Sequence, residues 1–296
     1  MCDRRESWER RSELQDYRNK PPLSYYRTAL PSVDYSELQG KLIVIEGPDA
    51  VGRTTQVQRL KPWLEEYGHA VLDTGMARSA LAGKGIREAK EGNTLGPITM
   101  TLYYATDFAD RLENEIIPAL RAGFVVLTDR YIFSIMARAI ARGENRTWIE
   151  RTAGFALVPH AVLYMRAEVK DLISRVVVGR GAFDYWESGL DLHFGKDMYE
   201  SFVRYQSRLI QVFDNMAKPY GFQTIDASQS PDRVFASLQR EIAKVVEMES
   251  PAQRAIRLKA ARGAKAALKL VPGVAPAKSA RKAAPAAKTA PKASAR

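Results

Sequence analysis

Five short runs of apolar, mostly β-branched residues recur along the chain, at Lys41 to Glu46, Ala70 to Thr74, Phe124 to Thr128, Ala161 to Met165 and Phe222 to Asp226. Their continuous apolar character is that of strands buried on both faces, as in parallel sheets. Between them the apolar positions recur at helical spacing. The segment after the first run carries Val57, Leu60 and Leu64 on one face, with Pro62 expected to kink or shorten it. The longest helix is expected from Ile98 to about Ala122, its stripe formed by Leu102, Ala105, Ala109, Leu112, Ile116 and Leu120. Strands alternating with helices from Lys41 to about Met248 predict a three-layer α/β/α domain round a five-stranded, mainly parallel sheet. Ligands of such sheets bind beyond the carboxyl ends of the strands, so the residues just past each strand carry the most weight.

Two segments fall outside this pattern. Residues 1 to about 38 are rich in Arg, Glu, Tyr and Pro and show no sustained stripe beyond a short helix at Glu6 to Tyr17. They read as an extension, ordered in part at most, with Tyr17, Tyr25, Tyr26 and Tyr35 packing on the domain surface. Residues 251–296 are rich in Ala, Lys and Pro; a basic helix is expected up to about Leu270 and disorder beyond Val271-Pro272-Gly273. The expected division is therefore an extension (1–38), an α/β domain (39–250) and a basic tail (251–296).

Charge follows this division. The chain carries a net charge of +11, yet 12 Lys/Arg and no Asp/Glu lie from Arg254 onward, leaving 33 basic against 34 acidic residues in the remainder. The basicity belongs to the tail. Lysines spaced among alanine and proline resemble linker-histone-like tails that bind nucleic acid or other polyanions without reading sequence; a solvating extension is the other reading, and the composition leaves both open. No run of about 18 apolar residues occurs and the first residues are charged, so neither a membrane span nor a secretory signal is expected. Cys2 is the only cysteine, which excludes an internal disulfide or a cysteine-built zinc site and fits a reducing cytoplasm. The histidines, His69, His160 and His193, are scattered, which argues against a histidine-built metal site.

The candidate chemistry begins where the first strand runs into its helix. Glu46-Gly47-Pro48-Asp49-Ala50-Val51-Gly52-Arg53-Thr54-Thr55-Gln56 has the glycine spacing of G-x-x-x-x-G-K-[ST], in which backbone amides curl round phosphate oxygens and the helix N-terminus adds its positive end. Gly47 to Thr55 are thus the candidate triphosphate cradle, and Thr54 is placed to offer a hydroxyl to Mg²⁺. Arg53 stands where the pattern has lysine, keeping the charge but replacing a compact donor by a planar fork. After the third strand comes Asp129-Arg130-Tyr131, where a carboxylate can serve a metal and a guanidinium can grip a phosphate with two hydrogen bonds.

These blocks, with ADRLENEIIPALRAGFVVLTDRYIFS, VLYMRAEV and FQTIDASQSPDRV in order, resemble the thymidylate kinase family of P-loop nucleoside monophosphate kinases from roughly Lys41 to Met248. The resemblance implies transfer of the γ-phosphoryl of ATP to a nucleoside monophosphate, dTMP giving dTDP in the family, and a homodimer packed through the long helices. It implies that Arg53 contacts β/γ oxygens, that Thr54 and Asp129 serve the metal, that Asp49 approaches the acceptor sugar and metal, and that Arg130 grips the acceptor phosphate. A mobile lid is implied over Arg175 to Glu187, with Arg175 and Arg180 as candidates for stabilising transferred charge, because Ala50 occupies the loop position where some members place an arginine.

The acceptor pocket departs from the family. Tyr104 falls at the position of the aromatic that stacks on the base, whereas Phe108 replaces the base-reading arginine, and Arg111 lies nearly a turn further on. Arg78 remains as a candidate contact to the acceptor phosphate, and Ala137-Arg138-Ala139 replaces the family's A-Y-Q. Lost hydrogen-bond partners change specificity more readily than they abolish transfer. Two alternatives therefore stand beside dTMP phosphorylation: a related kinase with another nucleotide or nucleoside acceptor, and a catalytically weak nucleotide-binding protein with a nucleic-acid-binding tail.

Overall fold

The computed structural model describes residues 16–31 and 33–250, and beyond them 253, 256 and 259. The chain divides into two units, Met1–Glu249 and Ser250–Arg296. The first contains five strands, β1 (Lys41–Glu46), β2 (Val71–Gly75), β3 (Val125–Asp129), β4 (Ala161–Arg166) and β5 (Gln223–Asp226). They form one parallel sheet in the order β2-β3-β1-β4-β5. Every expected strand is present, its ends shifted by no more than a residue. The helices are α1 (Arg53–Glu66), α2 (Gly83–Glu91), α3 (Pro97–Arg111), α4 (Ile117–Arg121), α5 (Ile132–Ala141), α6 (Arg146–Thr152), α7 (Val169–Arg180), α8 (Met198–Tyr220) and α9 (Pro231–Ile242).

Because β1 is central, its successive side chains enter two different cores. Leu42 and Val44 join Phe108 of α3, Phe133 of α5 and Phe213 of α8. Ile43 and Ile45 join Leu60 of α1, Leu172 of α7 and Leu238 of α9 on the opposite face. This two-sided burial is what the unbroken apolar runs anticipated.

Prolines act differently from expectation. Helix α1 continues past Pro62 to Glu66. Pro62 is on the exposed face, while Leu60 and Leu64, both fully buried, hold the helix on the sheet from either side of it. The long helix is present from Pro97 to Arg121 but widens into a π-turn over Leu112–Ile116, where the Ile117 amide donates to the Leu112 carbonyl. The turn immediately precedes Pro118, which has no N–H to continue an α-helical ladder. The buried stripe in the first half of this helix also differs. Leu102 is exposed, and Tyr104, Asp107, Phe108 and Arg111 face inward. Asp107 is buried because it caps the loop after β2, accepting from the Ala77 and Ser79 amides at 2.9 Å each, and pairs with Arg111 Nε at 3.1 Å.

The N-terminal segment is part of the first unit. The Leu23 amide donates to the Val158 carbonyl at 2.8 Å, and the Val158 amide donates to the Ser24 carbonyl at 2.7 Å. Tyr17, Tyr25 and Tyr26 are buried rather than laid on the surface, Tyr26 meeting Phe133 and Tyr220 edge-on; Tyr35 is exposed. In the second unit Gln253, Ile256 and Lys259 are helical and exposed. The rest of the expected basic helix and the tail lie outside the described residues. No helix among the described residues is long and apolar enough to cross a membrane.

Candidate active site

Beyond Glu46 the chain folds back at Gly47, whose φ of +148° and close approach to the Met165 carbonyl leave no room for a side chain: an added Cβ would lie 2.5 Å from that oxygen. Gly52, also left-handed at φ +97°, precedes the first residue of α1. The amides of the first turn of α1 have no intrahelical acceptor and point toward the loop's concavity. The parallel register sets Ile45 beside Asp129, so the carboxyl end of β3 delivers Asp129 and Arg130 to this same concavity. Residues 49–55, Asp129, Arg130, Arg175, Arg180 and Glu187 line a cleft of about 740 Å³, open mouth included.

Asp129 is the hub of the contacts at the start of α1. Its Oδ2 accepts from Thr54 Oγ1 at 2.7 Å and its Oδ1 from Arg53 Nε at 2.9 Å. Burial pushes the Asp129 carboxyl up, and the Arg53 and Arg130 charges with the Thr54 hydroxyl outweigh it and hold the group below its ordinary range. Arg53 itself is buried and folded back: its Nη1 donates to the Gly47 carbonyl at 2.5 Å and to that of Pro48. The guanidinium thus braces the loop that the family's lysine would reach through, a geometry only a fork of donors allows.

Asp49 is fully buried and accepts on Oδ1 from Arg130 Nη2 and from Arg138 Nη2 (2.7 Å), and on Oδ2 from Gln206 Nε2 at 3.3 Å. Burial alone would raise its carboxyl; Arg138, Arg130 and Arg53 hold it far below the usual carboxylate range, so it is ionised at neutral pH. Arg130 has φ +73°, an uncommon conformation for a side chain of this bulk. Its amide donates to the Ile45 carbonyl at 3.0 Å and its carbonyl accepts from Thr128 Oγ1 at 2.7 Å. Glu46 fixes the start of the next helix: it accepts from the Tyr131 amide (2.7 Å), the Ser134 amide (3.1 Å) and Ser134 Oγ (2.6 Å), capping α5 from inside the protein. Burial raises the Glu46 carboxyl despite these donors.

A second, narrow cavity, about 330 Å³ with its open mouth included and about 20 Å³ within, opens between α3, α5 and the segment after α7, lined by Met100, Thr101, Tyr104, Ile135, Arg138, Ala139, Arg142 and Trp186. Trp186 is fixed by its Nε1–H to the Lys90 carbonyl at 2.9 Å. Arg142 is fully engaged, with Asp191 Oδ2 at 2.9 Å, the Tyr205 hydroxyl at 2.5 Å and the Trp186 carbonyl at 3.2 Å. In the expected lid, Arg175 donates to the carbonyls of Val51 (2.8 Å) and Ala227, tying α7 to the phosphate loop. Arg180 is more open and pairs with Glu187 at 2.8 Å.

The expected acceptor-site residues separate. Tyr104 lines the second cavity. Phe108 lines neither cavity: it is buried in the core, edge-on to Tyr131 with ring centroids 4.8 Å apart. Arg111 is equally buried and held by Asp107, and Arg78 pairs with Asp73 at 3.0 Å on the surface. Sequence reasoning missed Glu46 and Gln206 and saw Arg138 only as a lost tyrosine. Glu46 was signalled by its place at the carboxyl end of a strand; Gln206, in the middle of α8, gave no signal.

The family model for thymidylate kinase matches residues 45–238, from the end of β1 into α9. The chain belongs to the thymidylate kinase family. It is 34% identical over 210 residues to the probable thymidylate kinase 2 of Saccharolobus solfataricus, a match covering 71% of this chain and 96% of that one. It is 32% identical over 214 residues to a thymidylate kinase of Bifidobacterium longum, covering 69% and 98%. A probable thymidylate kinase of Pyrococcus abyssi is 33% identical over 161 residues, covering 52% and 78%. Membership makes this chain a nucleoside monophosphate kinase by class and explains why the phosphate loop and Asp129-Arg130 share one crevice.

Proposed function

We propose that this kinase transfers the γ-phosphoryl group of ATP to dTMP, yielding ADP and dTDP. The observation that carries the reading is the convergence on one crevice of the loop amides, the Thr54–Asp129 pair and Arg130, joined through the Asp49–Arg138 ion pair to a cavity that Tyr104 and Trp186 line with aromatic rings. In this reading residues 47–55 hold the ATP phosphates and Arg130 meets the acceptor phosphate. Transfer of this kind depends on in-line positioning and on neutralising the charge in motion rather than on covalent participation. Arg175 and Arg180 line the phosphate-loop cleft; Arg180, the more open of the two, would meet that charge on leaving Glu187, and Arg175 only on leaving the Val51 and Ala227 carbonyls.

Thr54 and Asp129 fit a Mg²⁺ site of the kind completed by phosphate and water, since one hydroxyl and one carboxylate oxygen meet at 2.7 Å beside the loop. No cluster of three or more His, Cys, Asp or Glu side chains able to hold an ion by themselves occurs among the described residues. Bound there, the ion would neutralise charge on the β- and γ-phosphates. Arg53 becomes available to the triphosphate only as its pairing with Asp129 is exchanged.

A coupled ADP-release assay over a panel of nucleotides tests the reading. dTMP should support the fastest Mg²⁺-dependent turnover; faster turnover with another acceptor, or ATP binding without turnover on any, would overturn it. We extend the reading to a cytoplasmic homodimer packed through the long helix, on which Ile98 and Leu102 are exposed; sedimentation as a monomer at micromolar concentration would refute the dimer. The tail from residue 251 is assigned to non-specific polyanion contact, so its deletion should leave turnover intact and abolish salt-sensitive DNA binding.

A further inference from the structure

Of the arginines at the junction of the two cavities, one has a donor without an acceptor. Arg130 faces the phosphate-loop cleft, and every nitrogen of Arg142 is engaged by Asp191, Tyr205 or Trp186. Arg138 is different. Its Nη2 donates to Asp49 at 2.7 Å, which anchors the end of the guanidinium at the phosphate-loop side. Its Nε is buried and has no hydrogen-bond partner among the described residues, while the side chain lines the aromatic cavity with Tyr104, Ile135 and Trp186. A buried donor left unmatched in a folded protein is costly, and this one belongs to a permanently charged group. A ligand oxygen that reached this nitrogen from the cavity would remove that cost.

We propose that Arg138 is a specificity-determining contact of the acceptor site, donating from its unpaired Nε edge to an oxygen of the acceptor's nucleoside half while Asp49 holds its other edge. The inference rests on the reading of the aromatic cavity as the acceptor site. It assigns the nucleoside rather than the phosphate because Arg138 lines the cavity with the rings, whereas Arg130 lines the cleft with the phosphate loop. It also accounts for the loss of the family's base-reading arginine: Phe108 has been taken into the core, and a guanidinium from the second half of α5 enters the site in its stead. Arg138 therefore couples two tasks, since the group that reads the nucleoside also neutralises Asp49 beside the transfer point.

The test compares R138K and R138Q with the wild-type full chain. The wild type is assayed first over the nucleotide panel; if it prefers no nucleoside monophosphate, the functional reading fails before Arg138 is in question. With dTMP as acceptor, both variants should raise KM for dTMP about tenfold or more, the loss expected for one charged hydrogen bond, with KM for ATP within about threefold; R138Q should also lower kcat more than R138K does, because Asp49 then loses a neutralising charge. Thymidine, which lacks the phosphate, should weaken as an inhibitor by the same factor. A fall in kcat at unchanged KM would mean that Arg138 acts only through Asp49, and unchanged thymidine inhibition would move the contact to the phosphate; either result overturns the proposal. Independently of folding of the variants, the Nε–H resonance of Arg138 in the wild type should shift on addition of thymidine, and its indifference would also overturn it.

Discussion

Replacing Arg53 by Ala and Asp129 by Asn, singly and together, measures how much the phosphate loop depends on its unusual arginine. The two side chains meet at 2.9 Å and are only 7% and 8% exposed. With charge centres about 4 Å apart and an effective dielectric near 20, their attraction is about 4 kcal/mol before desolvation is subtracted. Arg53→Ala leaves the Asp129 carboxylate buried with one neutral donor, Thr54, and removes the donor that the Gly47 and Pro48 carbonyls share. Breaking a buried pair from one side costs about 3–5 kcal/mol, most of it the uncompensated charge. Asp129→Asn should cost about 1–3 kcal/mol, and the double variant should be more stable than the sum of the singles by about 2 kcal/mol, because the charge left stranded in each single is absent in it. Urea unfolding followed by circular dichroism reads these values as shifts in midpoint at constant slope. A coupling smaller than about 0.5 kcal/mol would refute the argument, since it would mean that water reaches and satisfies Asp129 as soon as Arg53 is gone.

The same geometry sets three further expectations. Glu46→Ala strips acceptors from two buried amides and a hydroxyl, so a loss of about 2–4 kcal/mol is expected in urea unfolding, with Glu46→Gln milder because its carbonyl still accepts. Phe108→Ala should cost about 3–5 kcal/mol of stability yet leave KM for dTMP within twofold in the folded enzyme, and a large KM change would return Phe108 to the acceptor site. His160 accepts the Leu42 amide on Nδ1 at 3.1 Å, and burial and the Lys41 charge depress its pKa from 6.5 to about 4. The neutral ring is favoured by folding, so its contribution is complete above pH 6.5 and is lost as the pH falls toward 4; after discounting for solvent screening this amounts to about 1–2 kcal/mol. The stability difference between pH 7 and pH 4.5 should shrink by that amount in His160→Asn, and an unchanged difference would show that the ring does not carry it.

The strands, the loop and the crevice were legible in the sequence because each rests on local information. Unbroken apolar runs of five or six residues specify the inner strands β1, β3 and β4, buried on both faces, whereas the edge strand β5 is mostly exposed, and the positions of Gly47 and Gly52 specify a backbone turn that few other residues can make. Asp129 and Arg130 were found by their place at a strand's exit, and parallel register carried them to the loop without further help. The partners of the charges were decided only by tertiary structure. Arg53 and Arg111 were read as ligand contacts from their positions along the chain, yet one braces the loop through Asp129 and the other sits on Asp107 in the core. A guanidinium on a long, jointed stem has several carboxylates within reach, and which one it meets depends on how helices from distant parts of the chain are set against the sheet. The same setting turned Tyr104 toward a cavity, took Phe108 one turn later into the core, and brought Arg138 within 2.7 Å of a carboxylate 89 residues away.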